Sequence, residues 1–258
     1  IQRHRTRRPR QRPTHRLKPS PPAPHRTRDA SEPACCQTDA LSCPPSVSNL
    51  SPSLPMTHND IHLLLTGDEL MSGDTVDSNS SMIAQSLAAL GHSVAEKVTL
   101  GDDRARLIAA LQRAAGAARI LIMNGGLGPT RDDLTAELAA AAAGVKLVLH
   151  PEADKHVRDW CAARSIKPND ANLKQAWLPE GAAIIHNPRG SAVGFAMDVD
   201  GTLILTTPGV PGELRAMLPE VCERIVAAIG GGESHRVRLQ TFGIGESTAQ
   251  ARIDEDPE

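Results

Sequence analysis

Between Asn124 and Thr135 the chain reads Asn-Gly-Gly-Leu-Gly-Pro-Thr-Arg-Asp-Asp-Leu-Thr. Glycines let backbone N–H groups come close to an anion, and a helix starting just after them adds its partial positive charge. No Gly-Lys-Ser/Thr follows, which argues against nucleoside-triphosphate cleavage of the Walker A type. By composition alone the loop reads equally as a ligand cradle or a tight turn. Asp132 and Asp133 need the same weighing. The helix dipole favours acids in a first turn by about 0.3–1 kcal/mol, and Thr130-x-x-Asp133 has the spacing of a capping box. Capping alone accounts for one of the two. A divalent cation such as Mg²⁺, which takes one or two carboxylates plus substrate oxygens, accounts for both beside a phosphate-shaped loop.

Two other segments belong with this loop if the strands before them are parallel. Thr66-Gly67-Asp68-Glu69 ends an apolar run, and Gly73 to Asn79 leads into a helical pattern. Singly, Asp68 and Asp74 read as turn residues and Asp77 as a helix N-cap. Asn187-Pro188-Arg189-Gly190-Ser191 sets an Arg on a loop of small residues, suited to a phosphate or carboxylate or to plain solvation.

The elements that must position these residues alternate. Ile61–Leu65 is a short apolar run with the character of a buried strand, and Val94–Val98 and Arg119–Met123 read as the second and third strands. Between and after them lie helical patterns: Met82, Ile83, Leu87 and Leu90 stopping at Gly91; Leu107, Ile108 and Leu111 after Asp102-Asp103; and Leu134–Ala143 before Gly144. Helices are also expected around Val157–Ala163 and Ala171–Trp177, then a strand at Ala183–His186. A hairpin of Gly194–Val199 and Thr202–Thr206 turns at Asp200-Gly201, and a helix runs from Glu213 to about Ile229. Strands alternating with helices imply right-handed crossovers and an α/β fold, a mostly parallel sheet covered on both faces. Gly230-Gly231-Gly232 marks an expected boundary, and Arg236–Phe242 reads as the first strand of a second, small α/β domain left incomplete at Glu258.

The first 55 residues differ from the rest. They carry ten basic and three acidic side chains and 11 of the 20 prolines, whereas the remainder holds 18 basic and 27 acidic side chains. With so few large apolar residues, residues 1–55 are expected to be disordered. Met56 opens an ordinary start, so the tail reads as an over-extended gene start, ahead of a body from 56 to 230 and a further segment from 231 to 258. The acidic body argues against nucleic-acid affinity. Cys35, Cys36 and Cys43 lie in the tail and only Cys161 and Cys222 in the body, which form neither a disulfide framework nor a zinc spacing. No run reaches the roughly 18 apolar residues of a membrane span, and a cytoplasmic protein is the expectation.

Taken together, TGDELMSGDTVDSN, NGGLGPTRDDLT, NLKQA, NPRGSAVG, TPGVPGE and FGIGES resemble the competence/damage-inducible CinA family over about residues 60–252, in the same order. The first domain of that family belongs to the molybdopterin-binding superfamily of MoaB and Mog, which implies a three-layer sandwich. The resemblance maps the family's glycine loop and Asp-x-Thr onto Gly125, Gly126, Gly128, Asp133 and Thr135, and its TGDEL-like and DSN elements onto Asp68, Glu69, Asp77 and Asn79. Asn124 stands where a small Ser or Thr is usual, and is expected to contribute mainly its backbone.

The resemblance implies binding of a nucleotide or pterin at this edge, with metal-dependent hydrolysis of the pyrophosphate of ADP-ribose as the leading activity. The expected binding residues are Thr66, Gly67, Asp68, Glu69, Asn79, Gly125, Gly126, Gly128, Pro129, Thr130, Thr135, Arg189, Gly190, Pro208 and Gly209. Asp132, Asp133 and Asp77 are the expected catalytic carboxylates, and Asp132 and Asp133 the ligands of a divalent metal ion. Two alternatives are molybdopterin binding in molybdenum-cofactor biosynthesis and a nucleotide-binding module without turnover. No deamidation of nicotinamide mononucleotide is expected of this chain, since the family's separate domain for it would follow Glu258. The expected partner is a small molecule, with neither nucleic acid nor membrane, and a homo-oligomer fits the superfamily.

Overall fold

The computed structural model describes residues 60–232, 240 and 242–255. The expectations for residues 1–55, and nearly all of that for a strand at Arg236–Phe242, lie outside these residues.

Six strands form the main sheet: β1 (Ile61–Thr66), β2 (Val94–Leu100), β3 (Ile120–Asn124), β6 (Ala183–Ile185), β7 (Gly194–Val199) and β8 (Thr202–Thr207). Their order is β2-β1-β3-β8-β7-β6. The first four run parallel, and β7 and β6 are antiparallel to their neighbours. Alternate residues of the central strands supply two separate cores. Ile61, Leu63, Leu65, Ile120 and Ile122 share one with Ile83 and Leu87 of α2 (Asn79–Ala89) and with Leu214, Met217 and Val221 of α7 (Pro211–Ile229). Leu64, Leu121 and Met123 share the other with Leu107 and Leu111 of α3 (Arg104–Ala114), Leu138 of α4 (Thr135–Ala143) and Val157 of α5 (Pro151–Ala162). A sheet buried on both faces needs apolar residues on both sides of each strand, which is why β1 and β3 are mostly apolar, Leu63–Leu65 and Ile120–Met123 without interruption. The result is the expected three-layer α/β sandwich with a mostly parallel sheet.

Parallel pairing levels Leu65, Asn124 and Thr207 at one end of neighbouring strands. The segments after β1, β3 and β8 therefore leave from the same edge, where open α/β sheets bind ligands. The β7–β8 hairpin makes β8 parallel to β3. Its turn has Asp200 at φ 51° and Gly201 at φ 81°, the two positive values that a two-residue turn needs to match strand twist.

Two local expectations change. Asp68–Ser72 forms a short helix, α1, rather than a turn, and Gly73 ends it in the left-handed conformation. The helix expected over Ala171–Trp177 is α6, Asp170–Lys174, and Trp177 instead opens β5 (Trp177–Pro179). β5 pairs antiparallel with β4 (Leu147–Leu149), setting Trp177 opposite Leu149, a long-range contact that local periodicity does not carry. Beyond Gly230, α8 (Glu246–Glu255) is the helix described. Among the described residues no helix is long and apolar enough to cross a membrane.

At Gly201 a side chain would meet nothing within 4 Å, so a substitution there costs conformational energy alone. Gly201→Ala should lower stability by about 1–2 kcal/mol, the usual penalty for an L-residue in the left-handed region. Urea unfolding of the two proteins checks it, and an unchanged midpoint would show that the hairpin turn relaxes.

Candidate functional site

A buried amide network closes the carboxyl edge of the sheet. Asn124 is 3 % exposed, so its amide needs partners inside the protein. Its Nδ2 donates to Thr207 Oγ1 at 3.0 Å and to the Pro208 carbonyl at 2.8 Å. Its Oδ1 accepts from Asn79 Nδ2 at 2.9 Å, and that nitrogen also donates to the Gly209 carbonyl at 2.7 Å. The expectation that Asn124 contributes mainly backbone is thus corrected. A Ser or Thr hydroxyl could not span all of these partners, so the departure at this position ties β3 to the start of α2 and to the segment after β8.

The glycine loop leaves directly from this network. Gly125 N–H donates to the Thr207 carbonyl at 2.9 Å. Gly125 and Gly126 have φ of 108° and 65°, and a Cβ on either would come within 2.5 Å of the Thr66 carbonyl or Thr135 Oγ1, respectively. Both positions therefore require glycine. Thr135 Oγ1 donates to the Gly125 carbonyl at 2.8 Å, and Thr135 N–H to the Gly126 carbonyl at 3.0 Å, holding the loop on the first turn of α4.

Asp133 does not cap α4 in the way its spacing with Thr130 suggests. The N-cap position falls on Leu134, and the Asp133 carboxylate instead turns back to accept from the Thr130 N–H and hydroxyl. Lys174, at the end of α6, donates to the carbonyls of Thr130 and Asp133. The loop is closed by its own Asp and braced by a lysine that the sequence reading did not single out. Asp132 stays exposed, and the Thr130 hydroxyl, its own backbone N–H and Lys174 hold its carboxyl below the ordinary carboxylate range. It is ionised at neutral pH.

A cavity of about 480 Å³ opens over this edge. Of the expected residues it is lined by Thr66, Gly67, Glu69, Gly125, Gly126, Gly128, Pro129, Asp132, Asp133, Pro208 and Gly209. Asp102, Gln175, Ser191 and Glu213 also line it, and none of them was an expected site residue. Asp102 carried only a helix-cap signal, and Gln175 and Glu213 stood out only as members of the runs NLKQA and TPGVPGE. Five carboxylates (Glu69, Asp102, Asp132, Asp133 and Glu213) line the cavity, with no Lys, Arg or His among its lining residues.

The other expected residues lie behind this surface. Asp68 and Asp102 grip each other's backbone: Asp102 N–H donates to Asp68 Oδ1 at 3.0 Å and Asp68 N–H to Asp102 Oδ2 at 3.3 Å. Thr66 Oγ1 donates to Asp102 Oδ1 at 2.6 Å, so Asp102 takes the place in the wall and Asp68 supports it. Thr130 and Thr135 shape the loop, and Asn79 acts through the amide network. Arg189 is exposed outside the cavity, and Gly190 is buried. Both N–H groups donate to Asn187 Oδ1, whose amide also donates to Glu213 Oε2 at 2.8 Å.

Asp77 is placed apart from the other expected catalytic carboxylates. It accepts from Ser80 N–H at 2.9 Å at the start of α2 and pairs with Lys97 Nζ at 3.0 Å. Its partial burial pushes the carboxyl up, but the hydrogen bonds from Ser80 and Lys97 together hold it below its ordinary value of 3.8. The N-cap position of α2 falls on Ser78, so the N-cap expectation for Asp77 shifts by one residue: Asp77 accepts from the first turn from just outside the helix, and these partners leave it outside the cavity.

The family described as a probable molybdopterin binding domain matches residues 62–228, the stretch from β1 through α7. The chain belongs to this family. Within it, the chain is similar to CinA-like proteins. One, from Colwellia psychrerythraea, is 47 % identical over 205 residues, covering 78 % of this chain and 47 % of the relative. Another, from Geobacter metallireducens, is 41 % identical over 196 residues, covering 75 % and 47 %. The chain thus spans about half the length of these curated relatives. The crystal structure of the protein CinA, of unknown function, from Thermoplasma acidophilum is 28 % identical with a TM-score of 0.61, covering 66 % of this chain and 99 % of that one. The molybdopterin-binding domain fold is therefore that of the sandwich described above.

Asp77 yields a pH test. Because its folded value is depressed, its contribution is fully present above the ordinary value of 3.8 and is lost as pH falls through the lower folded value. Wild type should exceed Asp77→Asn in unfolding free energy at pH 7, and the gap should close in acid below about pH 4. Urea titrations of both proteins between pH 7 and pH 3 measure it, and a gap that does not vary with pH would contradict the assignment.

Proposed function

We propose that the cavity binds a nucleotide carrying a diphosphate, ADP-ribose or a close relative, together with a divalent cation, and hydrolyses the diphosphate bridge. The observation that carries this reading is the combination of an anion-cradling glycine loop with five lining carboxylates and no cationic side chain. A phosphate entering here meets backbone N–H groups but otherwise only negative charge. Two like charges about 4 Å apart repel by about 4 kcal/mol at an effective dielectric constant near 20, so a cation between them is needed.

The residues fit such an ion. Among the described residues no three His, Cys, Asp or Glu side chains converge to hold a metal on their own. Asp132 and Asp133 would hold it jointly with phosphate oxygens, the sharing that Mg²⁺ favours. When bound, the ion would neutralise charge developing on the phosphates and make a bound water more acidic.

The chain's own residues do the rest. The loop N–H groups bind and orient the phosphate, and Asp102, fixed by Thr66 and Asp68, shapes the opposite wall. Glu69 is exposed at the cavity and carries no side-chain hydrogen bond among the described residues, so its carboxylate is free to take the proton of the attacking water. Water attacks one phosphorus, the bridging P–O bond breaks, and AMP and ribose 5-phosphate leave. Asp77, expected among the catalytic carboxylates, has no part in this scheme, because Ser80 and Lys97 occupy it.

A second reading, binding of a molybdopterin in cofactor biosynthesis, is favoured by the description of the matching family. Both ligands pair a heterocycle with phosphate.

Incubation with ADP-ribose and Mg²⁺ or Mn²⁺, followed by assay of AMP, tests the first reading. Turnover should vanish with a chelator. Asp133→Asn keeps an oxygen for the Thr130 N–H but is a poorer ligand for a hard cation. Turnover should fall at least about a hundredfold, roughly 2.7 kcal/mol, with circular dichroism unchanged. Near-normal turnover removes Asp133 from the mechanism. Pterin binding with no AMP release under any metal favours the second reading instead.

A further inference from the structure

Gln175 follows α6 directly, and the corner it stands on is fixed from both sides. Its N–H donates to the Asn172 carbonyl at 3.2 Å, the neighbouring Lys174 grips the glycine loop, and Ala176 behind it is fully buried. Gln175 lines the cavity and also borders an adjoining space of about 40 Å³ under Gly126–Gly128. Gln175 is 7 % exposed, yet among the described residues its Oε1, like Asn79 Oδ1, has no hydrogen-bond partner. The amide nitrogens of Asn79, Asn124 and Asn187, buried nearby, are each committed to protein acceptors. An unpaired buried amide oxygen is costly, so it calls for a partner from outside the chain.

The chemistry of the amide narrows what that partner is. A phosphate only accepts, and would leave the amide oxygen without a donor. A ring edge with an amino group beside a ring nitrogen offers one donor and one acceptor side by side, which is the complement of a carboxamide. The two ends of the amide exchange by a half-turn of the last bond, so either can meet its match. We infer that Gln175 is a specificity-determining residue that reads the amino-heterocycle of the ligand, while the glycine loop holds its phosphates. The inference rests on the nucleotide reading above.

Gln175→Met tests it, since Met keeps the unbranched shape and removes both polar atoms. The probes are the α,β-methylene analogue of ADP-ribose, which resists cleavage at the bridge, the same compound lacking the purine amino group, and inorganic pyrophosphate, each with Mg²⁺ and read by calorimetry. The variant should melt at or above the wild-type temperature without ligand. It should bind the ADP-ribose analogue at least tenfold more weakly and pyrophosphate within twofold of wild type. Wild type should bind the compound lacking the amino group about as weakly as the variant binds the parent analogue. A melting temperature lowered by several degrees, an equal loss for pyrophosphate, or full wild-type affinity for the compound lacking the amino group would each overturn the inference. If the unaltered chain binds no diphosphate, the nucleotide reading fails and the inference with it. If the variant binds the analogue as wild type does, the inference alone fails.

Discussion

The carboxamides of Asn79 and Asn124 meet at 2.9 Å in the buried end of the sheet and between them satisfy Thr207, Pro208 and Gly209. The Pro208 carbonyl, in a buried residue, would otherwise lose its amide donor, at about 1–3 kcal/mol for a buried group left unpaired. Together the two amides lock β3, the start of α2 and the segment after β8 into one relation. From that point the glycine loop leaves through Gly125, α1 and Asp102 stand on one side, and the Pro208–Pro211 segment leads into α7 on the other. Loss of this contact would change the cavity's width before it changed the sheet.

A second constraint acts on the loop itself. The backbone at Gly125 and Gly126 passes so close to Thr66 and Thr135 that no side chain fits there. The Asp133 carboxylate closes the loop on Thr130, and Lys174 braces it from α6. The lysine is thereby used on carbonyls behind the loop and not in the cavity, which leaves the cavity acidic. Electrostatics and loop geometry are one design here: the lysine that could have met a phosphate is spent on holding the loop, and under the proposed function the role of counter-charge would fall to an ion shared by ligand and carboxylates.

Much of this was legible in the sequence. Apolar-rich runs at Ile61–Leu65 and Arg119–Met123 alternating with helical patterns are the signature of strands buried on two faces, and the parallel sheet follows from the crossovers they need. Asp200-Gly201 specified the hairpin because few residue pairs tolerate two positive φ values. The glycine loop and its two aspartates were legible as a candidate anion site for the same kind of reason, a local chemistry with few other uses.

What only the tertiary structure decided are the long-range partners. Asp77 and Asp132 are alike in sequence, each an acid before a helix, yet Lys97 and Ser80 claim the first and the second faces the cavity. Asp102 reads as a cap until Thr66 and Asp68, more than thirty residues earlier in the chain, are seen to hold it in the wall. Trp177 continues a helical pattern until Leu149 offers it a strand. The sequence by itself determined the elements, their order and the loop, because these follow from periodicity and backbone sterics within a few residues. The choice of which carboxylate faces the ligand waited on the fold, because it depends on hydrogen bonds between residues that only the folded chain brings together.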